Sequence, residues 1–120
     1  MKRDMELVRK ILLETEAASN NPIEWIVLHI EGYDHALISY HVKILKEAGL
    51  LDAENLTTLS HFEWQPKSLT WEGHEFLDAV RHETVWAQTQ EVVQSKGGSV
   101  SFEVLKELAI QTFKSTFMSP

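Results

Sequence analysis

Between Asp34 and Leu51 stand the side chains of this chain best suited to reading a nucleic-acid groove. His35 and Ala36 open the stretch, and Ser39, Tyr40 and Lys43 follow at spacings that put them on one face of a helix. Hydroxyl and ammonium groups donate to base edges or phosphate, a phenol stacks or bonds to backbone, and Lys46 would reach phosphate. The other face, Ile38, Val42 and Leu45 flanked by Leu37, His41 and Ala48, is apolar and has to be buried. His41 lies at the edge of that stripe and is expected to pack rather than read. A second set, His74, Asp78 and His82, is spaced four apart, so the three share a helix face in a pattern that can hold a metal. Without cysteine or an evident fourth ligand, a solvated polar face is the expected reading, and no metal site or cofactor is expected.

Charge sets a limit on the groove-reading chemistry. Eleven basic residues against eighteen acidic ones give a net charge of −7. Much non-specific DNA affinity comes from Lys and Arg displacing counterions, so a chain this acidic cannot rely on its overall field. Lys43 and Lys46 are offset by Asp34 and Glu47 within the same segment. Catalysis is not expected: there is no Gly-rich phosphate loop, no nucleophile with a placed base and no carboxylate pair in a motif. No apolar run approaches the roughly 18 residues of a membrane helix, and the opening Met1-Lys-Arg-Asp-Met-Glu lacks a signal-peptide core, so a cytoplasmic protein away from membranes is expected.

The positioning elements follow from periodicity and punctuation. Residues 4 to 18 form a helix capped by Asp4, with Met5, Val8, Ile11, Leu12 and Thr15 inward and Arg9 among the solvated residues. Asn20-Asn21-Pro22 ends it. The β-branched and aromatic segment 23–33 predicts a strand, which leaves room for at most one turn of a positioning helix before Asp34. Asp34 caps the groove-reading helix and Gly49 stops it. Strands are predicted at about 51–56 and 61–69, with a tip within 57–60 and an edge or bulge at Pro66. The hairpin contributes Lys67 and His61 beside Asp52, Glu54 and Glu63, so it is expected mainly to close the sheet, with Lys67 as its one phosphate contact. Thr70 caps a helix from Trp71 that could continue, with a bend near residues 82–84, to Lys96, and Ser101 caps a last helix. Trp25, Trp64 and Trp71 are expected in the core, whereas Trp86, Phe102, Phe113 and Phe117 are apolar enough to supply a homodimer interface.

The run Ile38-Ser-Tyr-His-Val-Lys-Ile-Leu-Lys-Glu-Ala-Gly-Leu50 resembles the recognition-helix segment of ArsR-type winged-helix repressors, typically Val-Ser-His-His-Leu-Lys-Val-Leu-Arg-Glu-Ala-Gly-Leu. Leu69-Thr-Trp-Glu-Gly73 resembles the Leu-Thr-x-x-Gly that follows the wing in many such domains. The whole chain is similar to a family of short, functionally uncharacterised bacterial and phage proteins. They share an opening like Met1-Lys-Arg-Asp-Met5, Ile30-Glu-Gly-Tyr33, Leu69-Thr-Trp-Glu-Gly-His-Glu-Phe-Leu-Asp-Ala79, Lys96-Gly-Gly98 and Ser101-Phe102. The resemblance implies an α+β fold: a winged helix-turn-helix body over 1–70 with a small antiparallel sheet, extended over 71–120 by two C-terminal helices. It implies a prophage or mobile-element setting and supplies no activity. The expected function is transcriptional regulation through double-stranded DNA, read by helix 34–48. The competing expectation is an acidic interaction module that docks on a host or phage protein without binding DNA.

Overall fold

In the computed structural model, which describes residues 1–118, Asp4 accepts hydrogen bonds from the Glu6 and Leu7 amides and so starts α1, Met5–Ala18. A carboxylate there satisfies amides that have no partner inside the helix. Asp34 does the same for α2, His35–Glu47, accepting from the Leu37 N–H at 2.8 Å. α2 ends in a Schellman turn: Leu50 N–H donates to Leu45 O and Gly49 N–H to Lys46 O, with Gly49 at φ +79°. A residue without Cβ takes that conformation at little cost.

Leu50 leads into β1, Leu51–Asn55, which pairs antiparallel with β2, Trp64–Leu69. The register shifts between Asp52 and Ala53, where Pro66 lies opposite Ala53. That is the bulge expected of a residue with no amide for the ladder. Thr58 and His61 form an isolated bridge, so the tip is Leu59 and Ser60. Thr70 Oγ1 accepts from the Gly73 N–H and donates to Gly49 O, starting α3, Trp71–Val80, against the end of α2. Then come α4, Glu83–Ser95, and α5, Phe102–Phe117, the latter begun by Ser101 Oγ accepting from Val104 N–H. The described residues thus form an α+β structure of five helices and one two-stranded sheet.

Two compact units divide the chain, Met1–His74 and the residues from Glu75 onward. In the first, α1 and α2 pack on each other and on the hairpin, burying Leu7, Ile11, Leu12, Val42 and Leu51 almost completely. In the second, α4 and α5 pack together, and Val85, Leu105 and Ala109 are buried.

Several expectations fail. Residues 25–30 form no strand: among the described residues, the segment's backbone bond to the sheet is Ile26 N–H to Pro66 O at 2.8 Å. A strand needs a ladder, and β propensity without partners does not make one. No helix occupies 19–34, so the positioning helix of a winged helix-turn-helix, for which the sequence left room for at most one turn, is absent. Trp25 and Trp71, expected in the core, are 53% and 77% exposed. The long helix expected from Trp71 breaks at Arg81-His82, so three helices rather than two follow the hairpin. Arg9, expected in solvent, is buried, with its guanidinium 3.9 Å from Glu6.

Thr15 holds its expected inward position, but its Oγ1 has no hydrogen-bond partner among the described residues. A buried hydroxyl left unpaired costs about 1–3 kcal/mol, so replacing it by a methyl of the same shape removes a penalty. Thr15→Val is expected to raise Tm by a few degrees, roughly 1 kcal/mol, in a calorimetric scan. A lower Tm would mean that the hydroxyl is satisfied in solution.

Candidate functional site

α2 is about 20 Å long at 1.5 Å per residue, enough to cross a major groove, and three residues separate it from β1. Its outward side carries Ala36, exposed, and Tyr40 and Lys43, half-buried. His41 is fully buried as expected: its Nε2 accepts from Asp4 N–H at 2.8 Å and its Nδ1 bonds Leu37 O at 2.9 Å. Ser39, expected to face a groove, is instead completely buried, with its Oγ accepting from the Trp64 N–H at 3.2 Å. It sits where β2 approaches α2, and the amide of the first β2 residue needs an acceptor there.

The three lysines expected to contact DNA each meet a carboxylate. Lys43 Nζ donates to Glu47 at 2.8 Å, Lys67 Nζ to Glu54 at 2.9 Å, and Lys46 Nζ lies 3.8 Å from Asp52. The hydrogen bond to Glu47 holds the Lys43 ammonium pKa above its ordinary value, and the bond from Lys67 holds Glu54 below the usual carboxylate range. Ion pairs at the surface, such as Lys43 with Glu47 and Lys46 with Asp52, are screened by solvent and add little to stability.

At the hairpin end of α2 the structure assembles a group that sequence reasoning did not. His35, the first residue of the helix, and His61, on the hairpin, both place Nε2 against the same Glu63 oxygen, Oε1, at 2.5 and 2.9 Å. The two imidazoles stack with centroids 5.3 Å apart and planes 14° apart. Glu63 Oε2 accepts from Gln65 Nε2 at 3.2 Å. Burial alone would push the Glu63 carboxyl pKa up, but the hydrogen bonds from His35, His61 and Gln65 outweigh it and hold the group ionised below its usual range. His35 also borders an open groove of about 430 Å³, lined in part by Leu28, His29, Tyr33 and Ile38. The signal available in sequence was weak: His61 and Glu63 are two apart and so share a side of an extended chain, while His35 is 26 residues earlier.

The sequence-spaced trio does not converge. His74 lies 3.7 Å from Glu16, Asp78 accepts from Arg81 at 3.1 Å, and the His82 ring meets Phe117 and Phe113 at tilted angles. Of the residues expected at a dimer interface, Trp86 is only 4% exposed, Phe102 rests on Phe76 with centroids 5.1 Å apart, and Phe113 meets Phe117 with the rings tilted by 50°. Phe117 alone of the four is largely exposed, because the helices of the second unit cover the others. No described helix is long and apolar enough to cross a membrane.

Residues 2–99 match the family model described as "Hypothetical protein (DUF2513)". A relative in Haemophilus influenzae, described as "Uncharacterized protein", is 35% identical over 119 residues, covering 99% of this chain and 100% of its own. No solved structure matches the chain.

Proposed function

The chain belongs to the DUF2513 family, and for this member we propose that residues 1–74 act as a winged-helix-like module that binds duplex DNA to regulate transcription. α2 would lie in the major groove and the β1–β2 hairpin beside it. The observation carrying this reading is the capped, amphipathic α2 followed at once by an antiparallel hairpin, with Ala36, Tyr40 and Lys43 on its outward side. The paired lysines fit weak non-specific affinity, since each must exchange a carboxylate for a phosphate. With Lys43, Lys46 and Lys67 as the phosphate contacts, log K is expected to fall with log salt at a slope no steeper than about −3.

The test is a fluorescence titration with duplex from the gene's own upstream region. Tyr40→Ala and Lys43→Ala are each expected to weaken binding roughly 10-fold or more while leaving Tm nearly unchanged, because neither side chain is in the core. No affinity for any duplex at low salt would overturn the proposal. A second reading, docking on another protein, is favoured by Ile23, Trp25 and Val27, all more than half exposed in the segment that follows α1. In that case Trp25→Ala, and not Lys43→Ala, would abolish capture of a single stoichiometric partner.

A further inference from the structure

We infer that His35, His61 and Glu63 form a binding site for a first-row divalent metal ion, with Zn²⁺ as the fitting occupant, that ties the hairpin to the first residue of α2. One donor atom from each of the three residues lies within 4.8 Å of the others. Both Nε2 atoms already converge on the same oxygen, Oε1 of Glu63. A tetrahedral Zn²⁺ with ligands near 2.0–2.1 Å holds its donors about 3.3 Å apart. The two Nε2–Oε1 separations therefore need to open by less than about 1 Å, a side-chain adjustment that the part-exposed imidazoles can make.

The ligand set selects the metal. Two imidazoles with one carboxylate suit Zn²⁺, Co²⁺ or Ni²⁺, whereas Mg²⁺ and Ca²⁺ prefer all-oxygen shells. Three protein ligands leave at least one coordination position for water. The surrounding bonds are those of a prepared ligand rather than a loose surface group. Glu63 is largely buried, and Gln65 orients its second oxygen. Its backbone is fixed on both sides, with Glu63 N–H donating to Thr57 Oγ1 at 3.1 Å and Glu63 O accepting from Leu56 N–H at 2.8 Å. Outer partners of this kind hold metal ligands in place. On binding, each imidazole presents the Nε2 lone pair to the ion, and any proton on that nitrogen moves to Nδ1 or to solvent. The ion replaces two hydrogen bonds to one carboxylate oxygen with three coordinate bonds.

The site stands without the DNA reading, so the experiment uses the full chain and no nucleic acid. Zn²⁺ titrated calorimetrically into the metal-free protein is expected to bind at one equivalent with micromolar or tighter affinity. His61→Ala and Glu63→Gln should each weaken binding about 100-fold and Gln65→Ala about 10-fold, with His74→Ala, on the sequence-spaced trio, as the unaffected control. Since a variant can lose affinity by misfolding, Co²⁺ is added to the unaltered chain as well. Paramagnetic shifts confined to the His35 and His61 ring resonances support the site. Absence of saturable Zn²⁺ binding, binding that survives both ligand substitutions, or Co²⁺ effects centred on His74 or His82 would each overturn it. A chain that binds Zn²⁺ but no duplex keeps this inference and removes the DNA proposal; the converse separates them equally well.

Discussion

Gly73→Ala is expected to lower the apparent Tm by roughly 10 °C, a loss of about 3 kcal/mol or more. A Cβ built at Gly73 would stand 2.1 Å from the carbonyl oxygen of Leu50 and 3.1 Å from its carbon. These are backbone atoms at the turn between α2 and β1, and they cannot swing aside as a side-chain end could. Leu50 O also accepts from Thr70 N–H at 3.1 Å, and Thr70 Oγ1 holds Gly49 O at 2.6 Å. The first turn of α3 is thereby seated on the chain reversal that launches the hairpin. Making room for one methyl group means breaking those bonds or displacing the α2 terminus. The usual helical preference for Ala over Gly, about 1 kcal/mol in the opposite direction, is too small to compensate. Trp71→Ala, two residues earlier and mostly exposed, is the control and should shift Tm little. A Gly73→Ala protein as stable as the parent would show that α3 does not approach Leu50 this closely in solution.

The position of Gly73 marks a boundary between what sequence discloses and what it withholds. Its place three residues after a capping Thr is visible in the chain, but the contact that demands a glycine is with Leu50, 23 residues earlier. The two capped helices and the hairpin were legible because their signals are local. Asp4 and Asp34 cap from within three residues, Gly49 stops α2 by its own backbone, and Pro66 announces its bulge by lacking an amide. Segment 23–33 misled because side-chain propensity cannot report whether a partner strand runs alongside. Trp71 misled because helical spacing alone does not say which side of a helix meets a neighbour. The α3–α4 break at Arg81-His82 carries neither Gly nor Pro, the residues that most plainly punctuate a helix.

The same contrast governs the candidate sites. The outward side of α2 follows from periodicity, and the structure places Ala36, Tyr40 and Lys43 there. Ser39 departs from it because its hydroxyl serves the Trp64 amide, a need set by where β2 lands. The His35–His61–Glu63 group arises only when the hairpin folds back on the start of α2, so the spacing of His61 and Glu63 could announce two of its members but not the third. Charge supplies a further constraint. With Lys43, Lys46 and Lys67 each facing a carboxylate, any DNA recognition must draw on shape and on a few side chains rather than on a positive field.

His41 separates a structural histidine from a reading one, and its replacement is expected to be the second large loss. Asp4 N–H donates to Nε2, so Nε2 carries the lone pair, Nδ1 carries the proton, and that proton is donated to Leu37 O. One neutral imidazole, fully buried, thus joins the residue that caps α1 to the first turns of α2. His41→Ala removes an acceptor from a partly buried amide and leaves a cavity between the two helices, together worth about 3–4 kcal/mol. His41→Phe keeps most of the volume and loses only the polar contacts, so it should cost less, about 1–3 kcal/mol. Urea denaturation of the two variants beside the parent gives both values from the shift in midpoint. If His41 instead faced a bound groove, both variants would keep the parent midpoint and lose only duplex affinity. Equal and large losses for Ala and Phe would point to the bonds with the Asp4 amide and Leu37 O rather than to packing around the ring as the source of the stabilisation.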